Sequence, residues 1–119
     1  MNTPPALNGA IAANKVHRWL RAWYGADVAL AATLRYCPVL ATEPEGRLAA
    51  IVDFTFNLGA GRLQTSTMRR RVNQRDWLAA ATELRRWVYG GGKVLPGLVM
   101  RREAEIELLV DRSTTNESA

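Results

Sequence analysis

Three shortages set the terms for this sequence of 119 residues. Cys37 is the only cysteine and His17 the only histidine. A single cysteine excludes an intrachain disulfide, and the two residues together exclude a zinc site of the Cys/His kind. Cys37 is therefore read as a buried thiol beside Pro38, since a nucleophile would need a base. Acid is short as well, because no Asp or Glu precedes Asp27. Nor does any stretch reach the roughly 20 apolar residues of a spanning helix. The opening MNTPPALNGAIAAN has no charged n-region, so it does not read as a signal peptide, and synthesis is expected in the cytoplasm. No cofactor or metal is implied.

What is present suits one small domain: 48% of the residues are hydrophobic and the net charge is +5, mostly from arginine. A basic protein can meet nucleic acid, anionic wall polymer or a membrane surface, and charge alone does not choose among them. The chain lacks C₂H₂ spacing, an RNP-like strand and a helix-turn-helix signature, which counts against nucleic acid.

Residues 1–13 carry two prolines and a glycine and read as an irregular lead-in. From Asn14, Val16, Trp19, Leu20 and Trp23 recur at helical spacing. Gly25 either ends this helix or softens it, and the apolar face resumes at Val28, Ala31 and Leu34, closing at Cys37-Pro38. Thr42 and Glu45 have the spacing of a capping box for a central helix through Leu48, Ile51, Val52, Phe54, Phe56 and Leu58. Asn57, Gly59 and Gly61 end it. Ser66 or Thr67 caps a short helix to Asn73, and Asp76 caps another with Trp77, Ala80, Ala81, Leu84, Trp87 and Val88 on its buried stripe. The run Gly90-Gly91-Gly92 stops that helix, and Pro96 opens the last one, with Leu98, Arg102, Ile106, Leu109 and Val110 along it. The expected fold is all-α with five to six helices over residues 14–112, followed by a polar tail over 113–119.

Two segments carry a resemblance. Residues 53–67, DFTFNLGAGRLQTST, and residues 85–105, RRWVYGGGKVLPGLVMRREAE, together with D-x-x-x-A-A-x-x-L between them, resemble the C-terminal helical lobe of phage-type lysozymes, the endolysins that cut peptidoglycan. The resemblance implies a muramidase family acting on the periplasmic cell wall after release, with a peptidoglycan strand as partner. It implies a catalytic Glu and a strand-borne Asp or Cys and Thr in an N-terminal β-hairpin lobe, and no segment here matches that lobe. The expectation is thus a truncated chain, inactive alone or glycan-binding, with no catalytic residue assigned. Glu45-Gly46-Arg47-Leu48 imitates the start of the catalytic helix, but Asp53 lies about 12 Å along the same helix at about 1.5 Å per residue. Paired glycosidase carboxyls stand roughly 5 to 9.5 Å apart.

The resemblance also implies three substrate-binding positions. Phe56 offers an apolar ring beside a sugar, or serves the core. Thr67 hydrogen-bonds a glycan hydroxyl or acetamido group, or caps a helix. Glu83 stands as a polar cleft residue or is merely solvated. Trp77 and Trp87 read as core. Arg69-Arg70-Arg71, Arg85-Arg86 and Arg101-Arg102 are solvated faces paired with Glu103, Glu105 and Glu107, or a basic rim for anionic wall polymer. The alternative function is a protein-binding module on the same scaffold, an inhibitor, immunity or regulatory factor. Without the hairpin lobe an apolar surface should be uncovered. Either the segment with Ile11, Val16, Trp19, Trp23 and Tyr24 folds over it or two chains cover each other, the homodimer being preferred; a complementing N-lobe polypeptide is the other partner envisaged. A monomer in solution with both Trp19 and Trp23 open to a quencher would contradict this expectation.

Overall fold

A computed structural model describes residues 27–110 of the chain. The expected lead-in, the helical face around Trp19 and Trp23 and the polar tail lie outside the described residues. Within them the architecture is helical throughout, as the pattern predicts, apart from one two-stranded hairpin. In chain order the elements are α1 (27–36), a 3₁₀ turn (Pro38–Thr42), α2 (Glu45–Leu58), α3 (Ala60–Thr65), α4 (Thr67–Asn73), α5 (Trp77–Leu84), β1 (Tyr89–Gly90), β2 (Lys93–Val94) and α6 (Pro96–Leu109). No helix among the described residues is long and apolar enough to cross a membrane.

On α1, Leu34 packs against the core as expected, but the rest of the buried face is one position away from the expected one. Ala29 and Thr33 point inward, while Val28 is 70% exposed. A hydroxyl relay explains the rotation. Thr33 Oγ1 donates to Thr55 Oγ1 at 2.8 Å, and Thr55 donates in turn to the Ile51 carbonyl at 2.8 Å. Both hydroxyls are buried, and each finds its partner only in this orientation. Cys37 then ends the helix before Pro38 and is fully buried. Burial pushes its thiol up to about 11, with Arg69 pulling weakly the other way.

The capping box at Thr42 does not form. Thr42 donates to the Val39 carbonyl at 3.2 Å, and α2 starts after Pro44 with no side-chain cap. Glu43 is occupied instead by Arg47 and Arg75, each at 2.8 Å. Arg47 also lays its guanidinium 4.3 Å above the Trp77 ring. Farther on, Gly59 adopts φ +100°, which a residue with a Cβ resists, and α2 ends there. The chain then makes a further short helix, α3, where a turn was expected, and buries Leu63 with it.

Ser66, not Thr67, caps α4 by accepting the Arg69 amide at 3.1 Å. Asp76 caps α5 through the Ala79 amide at 3.1 Å, as predicted. The glycine run does more than stop α5. Gly91 and Gly92 sit at φ +60° and +80°, the consecutive left-handed pair that a tight two-residue hairpin requires, and they pair Tyr89 with Val94 and Gly90 with Lys93. No period-two pattern could announce strands of two residues each.

The core is built by all the helices from α2 to α6. Ile51, Phe54, Leu63, Met68, Val72, Leu84, Ile106 and Leu109 fill it, and Gly46 lets α6 approach closely, since a Cβ there would stand 3.3 Å from the Leu108 carbonyl. One pair in this core joins a guanidinium to a carboxyl. Arg102 is wholly buried and Glu105 is 2% exposed, in contrast to the solvated arginines expected on this helix. Arg102 grips Glu105 through two bonds of 2.7 and 2.8 Å, and donates to Asn57 Oδ1 at 3.0 Å and to the Trp87 carbonyl at 3.4 Å. An arginine cannot shed its charge, whereas a carboxyl can take up a proton. Glu105→Leu is therefore expected to cost about 3 to 5 kcal/mol, Arg102→Met less, and the double variant to recover most of the loss. Urea unfolding of the three variants checks the order.

Candidate functional site

Two of the three residues expected to contact substrate converge. Thr67, at the start of α4, and Glu83, near the end of α5, line one cavity of about 250 Å³ together with Arg86 and Trp87. The short turn between α4 and α5 folds these two helices against each other and carries Thr67 toward Glu83. Phe56 is half-buried on α2 and is not part of this lining.

Trp87 is the residue that the sequence reading missed. It is half-buried and packs against the core as expected, yet it also forms a wall of the cavity. Its ring meets Phe54 edge-on, with centroids 5.5 Å apart and planes at 86°. Behind it, Arg102 holds its carbonyl and lies 5.5 Å from the Phe54 ring. The wall is thus fixed from the core side. Only its place directly before the glycine hairpin, where α5 has already ended, distinguished Trp87 from the interior positions of the stripe. Thr67 keeps both of its anticipated chemistries apart: Ser66 does the capping, and the Thr67 hydroxyl accepts from Arg70 at 3.1 Å at the cavity mouth. Among the described residues Glu83 is the single carboxyl in the lining, and it receives Arg86 at 3.3 Å.

Among the described residues no carboxyl pair faces this cavity. Glu45 is exposed at the start of α2, and Asp53 is clamped by Arg101 at 2.9 and 3.0 Å. The carboxyls that do approach each other are Asp53 and Glu105, and Glu105 is buried out of reach of a polymer. Burial first, then the facing Asp53, raise Glu105 to about 8 against the pull of Arg102. Burial also resists charge on Asp53, but hydrogen bonds from Glu105 and Arg101, with the two arginine charges, outweigh it and lower its pKa. The arrangement is one proton shared between two acids beneath two arginines. Asp53 and Arg101 also border an open trough of about 730 Å³ with Leu95, Leu98 and Met100. Among the described residues no group of three His, Cys, Asp or Glu side chains is placed to hold a metal.

Residues 28–105 match the family model described as phage lysozyme, a span that runs from α1 through most of α6 and includes every residue of the cavity. The chain belongs to the phage lysozyme family. Among curated relatives, the SAR-endolysin of Bacteriophage PS34 is 48% identical over 65 residues, covering 55% of this chain and 39% of that protein. The endolysin of Bacillus phage B103 is 38% identical over 74 residues, covering 62% of this chain and 28% of that protein. The endolysin of Acyrthosiphon pisum secondary endosymbiont phage 1 is 31% identical over 83 residues, covering 66% and 57%. The chain spans about two fifths of the length of the first of these relatives.

The shared proton gives a test with a definite sign. A carboxyl raised in the fold lends its full stability below its unfolded pKa and loses it as pH rises toward the folded value. For Glu105 that window runs from about 4.5 up to about 8. The lowered Asp53 acts oppositely, losing its contribution as pH falls through the acid range. The urea midpoint of the wild type should therefore drop between mildly acidic and mildly alkaline pH. Glu105→Gln, which imitates the protonated acid, should match the wild type near pH 4.5, the lower edge of that window, and show a flatter profile above it. Parallel profiles would contradict the shared proton.

Proposed function

We propose that this helical lobe forms the saccharide-holding wall of a peptidoglycan-cutting muramidase, and that this chain on its own binds glycan without cleaving it. The observation that carries the reading is the cavity itself: a half-buried indole, a threonine hydroxyl and a polar side chain converge at one mouth, the mixture of apolar face and hydrogen-bonding groups that a sugar ring needs. Membership of the phage lysozyme family supplies the substrate class. Chemistry supports the non-cleaving part of this reading. Glycoside hydrolysis needs a proton donor and a second group across the scissile bond, and a positioned general acid contributes roughly 10² to 10⁴-fold. Among the described residues the cavity offers one carboxyl, and an arginine already holds it. The working compartment is the periplasmic wall, reached after release from the cytoplasm.

A second reading, a protein-binding module on the lysozyme scaffold, rests on a different surface. Tyr89, Val94, Leu95 and Met100 are exposed near the trough at the hairpin and α6.

The pure chain should sediment with isolated peptidoglycan and leave the turbidity of chloroform-treated Gram-negative cells unchanged. Thr67→Ala and Trp87→Ala should each lower the bound fraction several-fold, a loss on the order of 1 kcal/mol. Brisk clearing would overturn the non-cleaving assignment. Failure to sediment, combined with retention of a purified host protein, would favour the second reading.

A further inference from the structure

Two stretches of this chain carry no acid: none stands between Asp27 and Glu43, and none between Asp53 and Asp76. The first supplies α1 and the turn after it, the second α3 and α4. They meet at Tyr36. Its carbonyl accepts from Arg69 Nε at 2.8 Å and from Asn73 Nδ2 at 2.9 Å. Its half-buried ring lies near two guanidinium groups, with the Arg35 and Arg69 Cζ atoms 5.6 and 5.3 Å from the ring centre. Arg70 follows on the outer side of α4 and is exposed, as is Arg35. Among the described residues none of these three arginines has an acidic partner. The pattern differs on the other elements. There Arg47 is matched to Glu43, Arg85 to Glu103, Arg101 to Asp53 and Arg102 to Glu105. The guanidinium groups around Tyr36 keep their full charge because the two acid-free stretches face each other at that residue.

This face is not only basic. Val28, Ala31 and Arg35 share one outward stripe of α1, and all three are exposed. Asp27 stands at the far end of that helix, eight residues from Arg35, or about 12 Å along the axis. A soluble polyanion gains from the arginines alone. An anionic bilayer gains as well from an apolar side chain and an aromatic ring set beside the charges. These enter the headgroup region while the arginine forks take phosphate oxygens. We propose that the face built from α1 and α4 around Tyr36 docks on a bilayer of anionic phospholipid, with Arg35, Arg69 and Arg70 on the headgroup phosphates. The inference goes beyond glycan binding, since a phosphate surface is a different ligand met on a different face.

Flotation of the full chain with vesicles tests this. The anionic surface is equal parts phosphatidylglycerol and phosphatidylcholine, and the neutral one is phosphatidylcholine alone. The chain should float with the anionic vesicles and not with the neutral ones, and added salt should release it. R35Q/R70Q should weaken binding about 25-fold, because each basic residue close to an anionic surface contributes about fivefold. R85Q/K93Q removes the same number of positive charges from exposed residues after α5 and on β2, and should change binding little. V28S should lower vesicle binding several-fold and leave the affinity for a duplex DNA oligomer, the soluble polyanion, as it was. Every substituted residue is exposed, so matching urea midpoints confirm that the variants keep the fold. Absence of flotation overturns the proposal. So does an equal loss in R35Q/R70Q and R85Q/K93Q, which would reduce the effect to net charge. Vesicle binding that V28S leaves intact, or tighter binding of the DNA than of the anionic vesicles, overturns the lipid and assigns the face to a soluble polyanion.

Discussion

The pairing of Arg102 with Glu105 is the constraint around which this lobe is arranged. A guanidinium without access to water has to satisfy its donors inside the protein, and these go to Glu105, to Asn57 on α2 and to the backbone at Trp87. One side chain of α6 thereby sets the distance to α2 and fixes the end of the α5 segment. Its cost in desolvation is the reason Asp53 and Arg101 matter, because they complete the charge balance just outside it. Apolar packing could have filled the same volume. It could not have tied three separate stretches of backbone to one point.

That tie links fold to function. Trp87 leans edge-on against Phe54 while its carbonyl is held from below, so the indole presents a fixed face to the cavity. Thr67 and Glu83 arrive from α4 and α5, which pack against each other independently of the ion pair. The cavity therefore has one wall set by electrostatics and one set by helix packing.

Much of this was legible in the sequence. Helix caps at Ser66 and Asp76, the break at Gly59 and Pro96 at the start of α6 all follow from local chemistry. So did the meeting of Thr67 and Glu83, though only through the resemblance, since nothing in the spacing of the two residues brings them together. What escaped was non-local. The rotation of α1 depends on a hydroxyl 22 residues away. Arg102 reads as a surface residue until Asn57, which lies 45 residues earlier, is placed beside it. Phe56 is half-buried on α2 and does not line the cavity that Thr67 and Glu83 share.

The single thiol has a consequence of its own. Cys37 is sealed at the junction of α1 and the following turn, and with its ionisation displaced to about 11 only about one molecule in a thousand would carry the reactive thiolate at pH 8 even without the steric barrier. Alkylating reagents can therefore reach it only when that junction opens. The rate at which the native chain takes up such a label becomes a clock for the opening of its own interior, read from a single atom with no engineered probe.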